Sequence, residues 1–140
     1  MGQTQILLLV LSVIIIGVAV AVGIDQFSEN AVTSNRDAVA ADCQRLVSQS
    51  MQWYRKPPSL GGGGRDFTGM TWSNLGIQAD STGAYGNQNG SYALTVEAGT
   101  PSTAITIVGT GSENKSDGSA VEVTVGYDAS NNSFGYSDNL

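Results

Sequence analysis

The residues of this chain that could carry covalent or acid–base chemistry are few, and their spacing builds no catalytic unit. Histidine is absent and Cys43 is the single cysteine. Nucleophile–base pairs and zinc ligand sets draw on those two residue types, so neither can be assembled here. The twelve carboxylates are scattered along the chain, and none pair at a spacing that suggests general acid–base work. Glu113-Asn114-Lys115-Ser116-Asp117-Gly118 has a passing likeness to a calcium loop. It lacks the regular oxygen ligands and the closing Glu of such loops, and reads instead as a hairpin turn. Gly61-Gly62-Gly63-Gly64 precedes no Gly-Lys-Ser/Thr, so it is no phosphate loop. The expectation is a protein that is not an enzyme and takes no cofactor and no metal. One modification chemistry remains. Asn89, Asn114 and Asn131 each open an N-x-S/T triplet, the acceptor pattern for sugar, although Asn and Ser are also ordinary turn residues.

Composition narrows the partners. A net charge of -6 and an isoelectric point near 4.2 argue against nucleic-acid backbones and anionic membrane surfaces. Charged residues make up only 13% of the 140 residues, while glycine occurs 18 times, so the charged share lies well under the usual quarter. A surface rich in Ser, Thr, Asn and Gly is polar without being strongly ionic, which suits close packing of many copies or a coat of sugar. One cysteine cannot close an internal disulfide, and the redox compartment is not legible from it.

The element that must organise these residues runs from Ile6 to Ile24, ILLLVLSVIIIGVAVAVGI, nineteen residues without a charge. As a helix it spans roughly 28 Å, close to the hydrocarbon thickness of a bilayer. A domain of this size cannot cover such a helix on all sides, so lipid or other copies of the chain must do so. A cleaved secretory signal would place Lys or Arg before the apolar run, and Met1-Gly2-Gln3-Thr4-Gln5 has neither, although the small residues of VAVAVG at 18–23 could imitate a cleavage site. A simple membrane anchor fits the length, but the helical pattern does not stop at its end. A myristoylation signal fails because Ile6 stands where Ser or Thr is required.

From Asp25 to about Tyr54 the pattern becomes amphipathic. Val32, Val39, Leu46 and Trp53 recur at intervals of seven, and Cys43, Val47 and Tyr54 widen the same stripe. Arg55 and Lys56 suit the negative end of a helix, and Pro57-Pro58 stops it. One helix of about fifty residues is therefore expected, with a stripe that needs a partner layer from its own chain. Residues 57–90 read as an irregular connection, with the glycine run freeing the backbone and Phe67, Met70, Trp72 and Leu75 as apolar anchors. Strands are expected at Ser91–Ala98, Ala104–Thr110 and Ala120–Asp128, with a short last one at Ser133–Tyr136. Asp117-Gly118 and Asn131-Asn132 mark hairpin turns. The fold class is α+β: a long N-terminal helix packed on a small antiparallel sheet. Residues 1–24 form the apolar helix and 25–140 a head, divided into amphipathic helix 25–56, loop 57–90 and sheet 91–140.

An extreme N-terminal apolar helix that continues as an amphipathic helix onto a C-terminal sheet resembles the bacterial type IV pilins and the pseudopilins of type II secretion. The sequence likeness is confined to about residues 1–54. The resemblance implies a subunit held in the inner membrane, then polymerised by an assembly machine into an extracellular, cell-surface filament. The helices of such a filament form its core, here contributed by Met1, Gln5, Ile6, Leu9, Val13, Ile16, Gly17, Val20 and Ile24. Met1 would stand in the place of the family's methylated first residue, since no basic leader precedes it. Val32, Val39, Cys43, Leu46 and Trp53 would pack the helix on the sheet.

The chain also departs from the family. Gln5 stands where pilins carry the Glu that neutralises a neighbour's terminal amine, so a hydrogen bond survives there but not a charge pair. Val22 replaces a helix-breaking Pro, and Gly17 and Gly23 could supply an extended segment at roughly 1 kcal/mol each in helicity. The disulfide-closed C-terminal loop of many pilins is impossible with one cysteine. Archaeal pilins also lack that Glu, but the long amphipathic extension favours the bacterial branch. The competing expectation is a single-pass anchored β-domain, or a pseudopilin, that binds a partner protein.

Overall fold

The structure, a computed structural model, describes residues 2–140. Helix α1 runs unbroken from Gly2 to Arg55, so Gly17 and Gly23 produce no extended segment: the helix passes straight through both. A Cβ at either glycine would meet nothing within 4 Å. The helix ends where the cations and Pro57-Pro58 place its end.

Five strands follow as a simple antiparallel meander in the order β1-β2-β3-β4-β5. They are β1 (Tyr85–Gly86), β2 (Gly90–Val96), β3 (Ala104–Asn114), β4 (Ala120–Asp128) and β5 (Ser133–Asp138). The layout is thus the α+β arrangement of one long helix on an antiparallel sheet. β1 lies inside the stretch expected to be irregular. It is two residues long and exists only through its pairing with Ser91 and Tyr92. β3 continues four residues beyond the expected Thr110 to Asn114, through a register shift.

Side chains alternate along the strands as a half-buried sheet requires. Tyr92, Gly109 and Val123 form one cross-strand row, and Leu94, Ile107 and Val125 the next. On the helix, Val39, Cys43, Leu46, Val47 and Ser50 are buried, a spacing of four, three, one and three that keeps one face on the sheet. Val32 and Trp53, at the ends of the seven-residue series, are only partly buried. The reason is reach: the helix lies on β3 and β4 and is fully covered only from Val39 to Ser50, about three turns.

Two glycines set the distance of that contact. A Cβ at Gly109 would lie 2.5 Å from Val39 Cγ1 and 2.8 Å from Cys43 Sγ, well inside the ~3.5–4.0 Å of carbon contacts. A Cβ at Gly111 would collide with the side-chain oxygen of Asn35. Asn35 itself ties helix to sheet, donating to the Asn89 carbonyl at 2.9 Å.

The connection 57–84 contributes buried side chains to the core. Phe67, Met70 and Trp72 are buried and Leu75 partly so, as expected of anchors. Phe67 stacks on Tyr54 at 4.4 Å and meets Tyr127 edge-on at 6.4 Å. The glycine run does not loosen this segment. Gly63 and Gly64 donate to the Trp53 and Lys56 carbonyls at 2.9 Å each, and Arg65 donates to Tyr54 at 2.7 Å. These bonds give partners to the Trp53 and Tyr54 carbonyls in the last turn of α1 and to the Lys56 carbonyl just beyond it, where the helical ladder runs out of donors. Glycine is needed there because a side chain at Gly62 would strike Lys56, and Gly64 takes a φ of 62°.

Candidate assembly surface

Every residue from Gly2 to Val22 is exposed, Gly23 is partly covered and Ile24 is exposed. All fourteen large aliphatic side chains between Ile6 and Ile24 stand 47–69% exposed. The most apolar 18-residue window has a mean hydropathy of 3.1 with none of it buried inside the chain. That is a helix long and apolar enough to cross a membrane, and it is compatible with anchoring there. Its one side-chain hydrogen bond among the described residues is internal, from Ser12 Oγ to the Leu8 carbonyl at 2.7 Å. Such a bond lets a hydroxyl sit in an apolar environment without an unsatisfied donor.

Of the expected core residues, Gln5, Ile6, Leu9, Val13, Ile16, Gly17, Val20 and Ile24 all lie on this bare rod; Met1 lies outside the described residues. They do not form one stripe. The rod is apolar on all sides, so a single neighbour cannot cover it. Lipid or several surrounding helices can.

The packing residues are positioned as the head demands. Val39, Cys43 and Leu46 are fully buried. Burial, helped by the nearby Asp42 charge, pushes the Cys43 thiol up to about 11, so a thiolate is strongly disfavoured at neutral pH.

A polar cluster beside them is not visible from spacing in the sequence. Asp42 Oδ2 accepts hydrogen bonds from Tyr92 Oη at 2.7 Å and from the side-chain nitrogens of Asn87 and Asn89 at 2.8 Å each. Partial burial alone would raise the Asp42 pKa, but bonds from Asn89, Tyr92 and Asn87 outweigh it and hold the carboxyl below its usual range. Burial and the bond to Asp42 push the Tyr92 hydroxyl the other way, upward. The cluster pins the turn before β2 to the helix. It joins residues 45 to 50 positions apart, a distance over which no local pattern speaks.

That cluster also bears on the three candidate glycosylation sites. Asn89 is half-buried and its side-chain nitrogen already serves Asp42, so a sugar there would cost that bond. Asn114 and Asn131 are exposed, at the end of β3 and in the β4–β5 turn. Asn131 Oδ1 accepts from the Ser133 backbone and hydroxyl, as a turn residue does.

Glu113 to Gly118 forms a hairpin turn: Lys115 donates to Ser119 at 2.8 Å and Gly118 to Lys115 at 2.9 Å. Asp117 accepts from the Ser119 backbone and hydroxyl through Oδ1, and its Oδ2 lies 3.9 Å from Lys115 Nζ, so the turn's own groups occupy the carboxylate. Among the described residues no three His, Cys, Asp or Glu side chains converge as metal ligands would. No protein-family model matches the chain, and no curated protein or solved structure matches it significantly.

Proposed function

We propose that this chain is the structural subunit of a helical extracellular filament similar to type IV pili, with α1 as both membrane anchor and polymer core. The observation that carries this reading is the rod itself: an uninterrupted helix whose first half is bare and apolar on every side and whose second half is built into the head. An anchor needs only to span; continuity with the head is what transmits a fixed orientation from one subunit to the next. Fully burying each large aliphatic side chain is worth roughly 1.5–3 kcal/mol relative to water. Lipid and neighbouring helices both satisfy such side chains, so transfer from membrane to filament is near-balanced and calls for a driving machine. Once the filament stands in water, releasing a subunit exposes the whole rod, which makes the polymer durable. The same reading treats the chain as a non-enzymatic protein whose main partner is itself, with sugar at Asn114 or Asn131 as an optional coat.

The alternative, an anchored head that binds a partner protein, predicts no polymer. Shearing cells and probing the released high-molecular-weight material for this chain separates the two. Recovery in sheared filaments supports the proposal; recovery only as a detergent-soluble membrane monomer refutes it.

A further inference from the structure

The two ends of the head differ in charge and shape. At the lower end, where α1 leaves the sheet, a groove of about 810 Å³ opens between the helix and the β3–β4 hairpin tip. Asp25 and Glu29 line it from the helix and Asp117 from the hairpin, with Val32 and Leu140 supplying apolar surface. Lys115 also lines it, but is engaged by the Asn139 carbonyl at 2.8 Å and Asp117 at 3.9 Å. Asp25 and Glu29 form no ion pair within the described residues.

The groove alone would be an acidic cluster; the opposite end of the same chain gives it an occupant. There Leu60 stands 64% exposed at the crest of the turn Pro58–Leu60. The turn is held rigidly: Leu60 and Gly62 donate to the Pro57 carbonyl, and Gly61 to Pro58, at 3.0–3.2 Å. Arg55, Lys56 and Arg65 flank it, Arg65 being bonded through its backbone to Tyr54. All three are exposed and none forms an ion pair within the described residues. Half of the chain's six cations thus sit unpaired around one apolar knob.

We infer that the Leu60 knob of one copy docks into the groove of the next copy along the filament. Leu60 meets Val32 and Leu140, and Arg55, Lys56 and Arg65 meet Asp25, Glu29 and Asp117. The contact uses two different surfaces of one chain, and such heterologous contacts propagate into open polymers. Thirty residues of helix separate Asp25 from Arg55, so the contact links copies displaced by about 45 Å along the axis. The inference rests on the filament reading and adds to it a specific head-to-head register.

The test uses the full chain carrying Ser59→Cys, in the same turn and exposed, and Ser116→Cys, with the Leu60 knob intact and a short bismaleimide added to assembled material. Buried Cys43 stays silent. The docking contact gives a ladder of cross-linked multimers with the double variant and only dimers or monomers with either single variant. In parallel, Arg55→Glu with Lys56→Glu lowers filament yield roughly fivefold, the order expected from losing a few exposed ion pairs. Adding Asp25→Lys and Glu29→Lys restores it. Wild-type filaments are counted by electron microscopy in the same preparations. Normal filaments with no ladder and no effect of charge reversal overturn the docking while leaving the filament reading intact. Absence of filaments from the wild type itself overturns both.

Discussion

Placing a single methyl at Gly109 tests how the helix and sheet are fitted. In Gly109→Ala the new Cβ arrives 2.5 Å from Val39 Cγ1, 2.8 Å from Cys43 Sγ and 3.1 Å from Tyr92 Cδ1. Relief to ordinary contact requires the helix to rise by about 1 Å, since carbon atoms pack at ~3.5–4.0 Å. Lifting the helix loosens the rows formed by Ile107, Val123 and Val125, which are otherwise buried. Overpacking of this kind costs about 1–3 kcal/mol. Restricting the unfolded chain returns about 0.4–1 kcal/mol, so a net loss near 1–2 kcal/mol is expected. For a head of this size that lowers the unfolding midpoint by roughly 4–10 °C. The assay is thermal unfolding of the full chain in detergent, followed by near-ultraviolet circular dichroism of the buried aromatics. Val39→Ala removes the atom first struck, so the pair should couple by at least ~0.5 kcal/mol in a double-mutant cycle. A Gly109→Ala variant as stable as its parent, or strictly additive effects of the two changes, would refute the close-approach argument.

Four further outcomes are expected. Ile15→Asp puts a charge at the middle of the rod, at about 2.5–3.5 kcal/mol on insertion scales, and filaments counted by electron microscopy should vanish. Native Cys43 should resist a bulky maleimide until the head unfolds, and Cys43→Ala should leave assembly unchanged; rapid labelling of native protein contradicts its burial. Gln5→Glu should assemble at least as well as the parent and Gln5→Ala modestly less well, measured as sheared filament yield. Acid should weaken the head through Asp42, whose folded pKa is depressed. Its contribution is complete above the unfolded value near ~3.9 and is lost as pH falls through the folded value. Asp66, Asp80, Asp117 and Asp128, each also lowered by hydrogen bonds, act in the same direction. Asp42→Asn should cost about 1–3 kcal/mol at neutral pH and flatten the stability profile below about pH 4, followed by denaturant titration; an unchanged profile contradicts the role given to the cluster.

What the sequence made legible was whatever depends on local period and punctuation. The uncharged run, the seven-residue series from Val32 and the Pro57-Pro58 stop located one helix to within a residue or so of its observed end at Arg55. Alternation located β2 and β3 approximately and β4 at both of its ends. What it did not reveal depends on pairing at a distance. β1 is defined only by its neighbour, and Asp42 is explained only by Asn87, Asn89 and Tyr92. Gly61 to Gly64 looked like slack, yet every one of them is bonded: Gly61 and Gly62 close the turn on Pro58 and Pro57, and the folded chain brings Gly63 and Gly64 against the carbonyls of Trp53 and Lys56 at the helix end. The value of Gly109 and Gly111 appears only once α1 lies across β3. The groove between helix and hairpin is likewise a product of topology, joining Asp25 and Glu29 to Asp117.

The central claim is that residues 2–24 of many copies form the interior of a filament. Electron cryomicroscopy of sheared surface filaments, resolved in cross-section, tests it most directly. The expected density is a central sheaf of helices continuous with outward-facing heads, with side chains fitting Ile6 to Ile24 at the axis. A filament whose axis is filled by the β-sheet heads, or whose density fits a different polypeptide, would contradict the account.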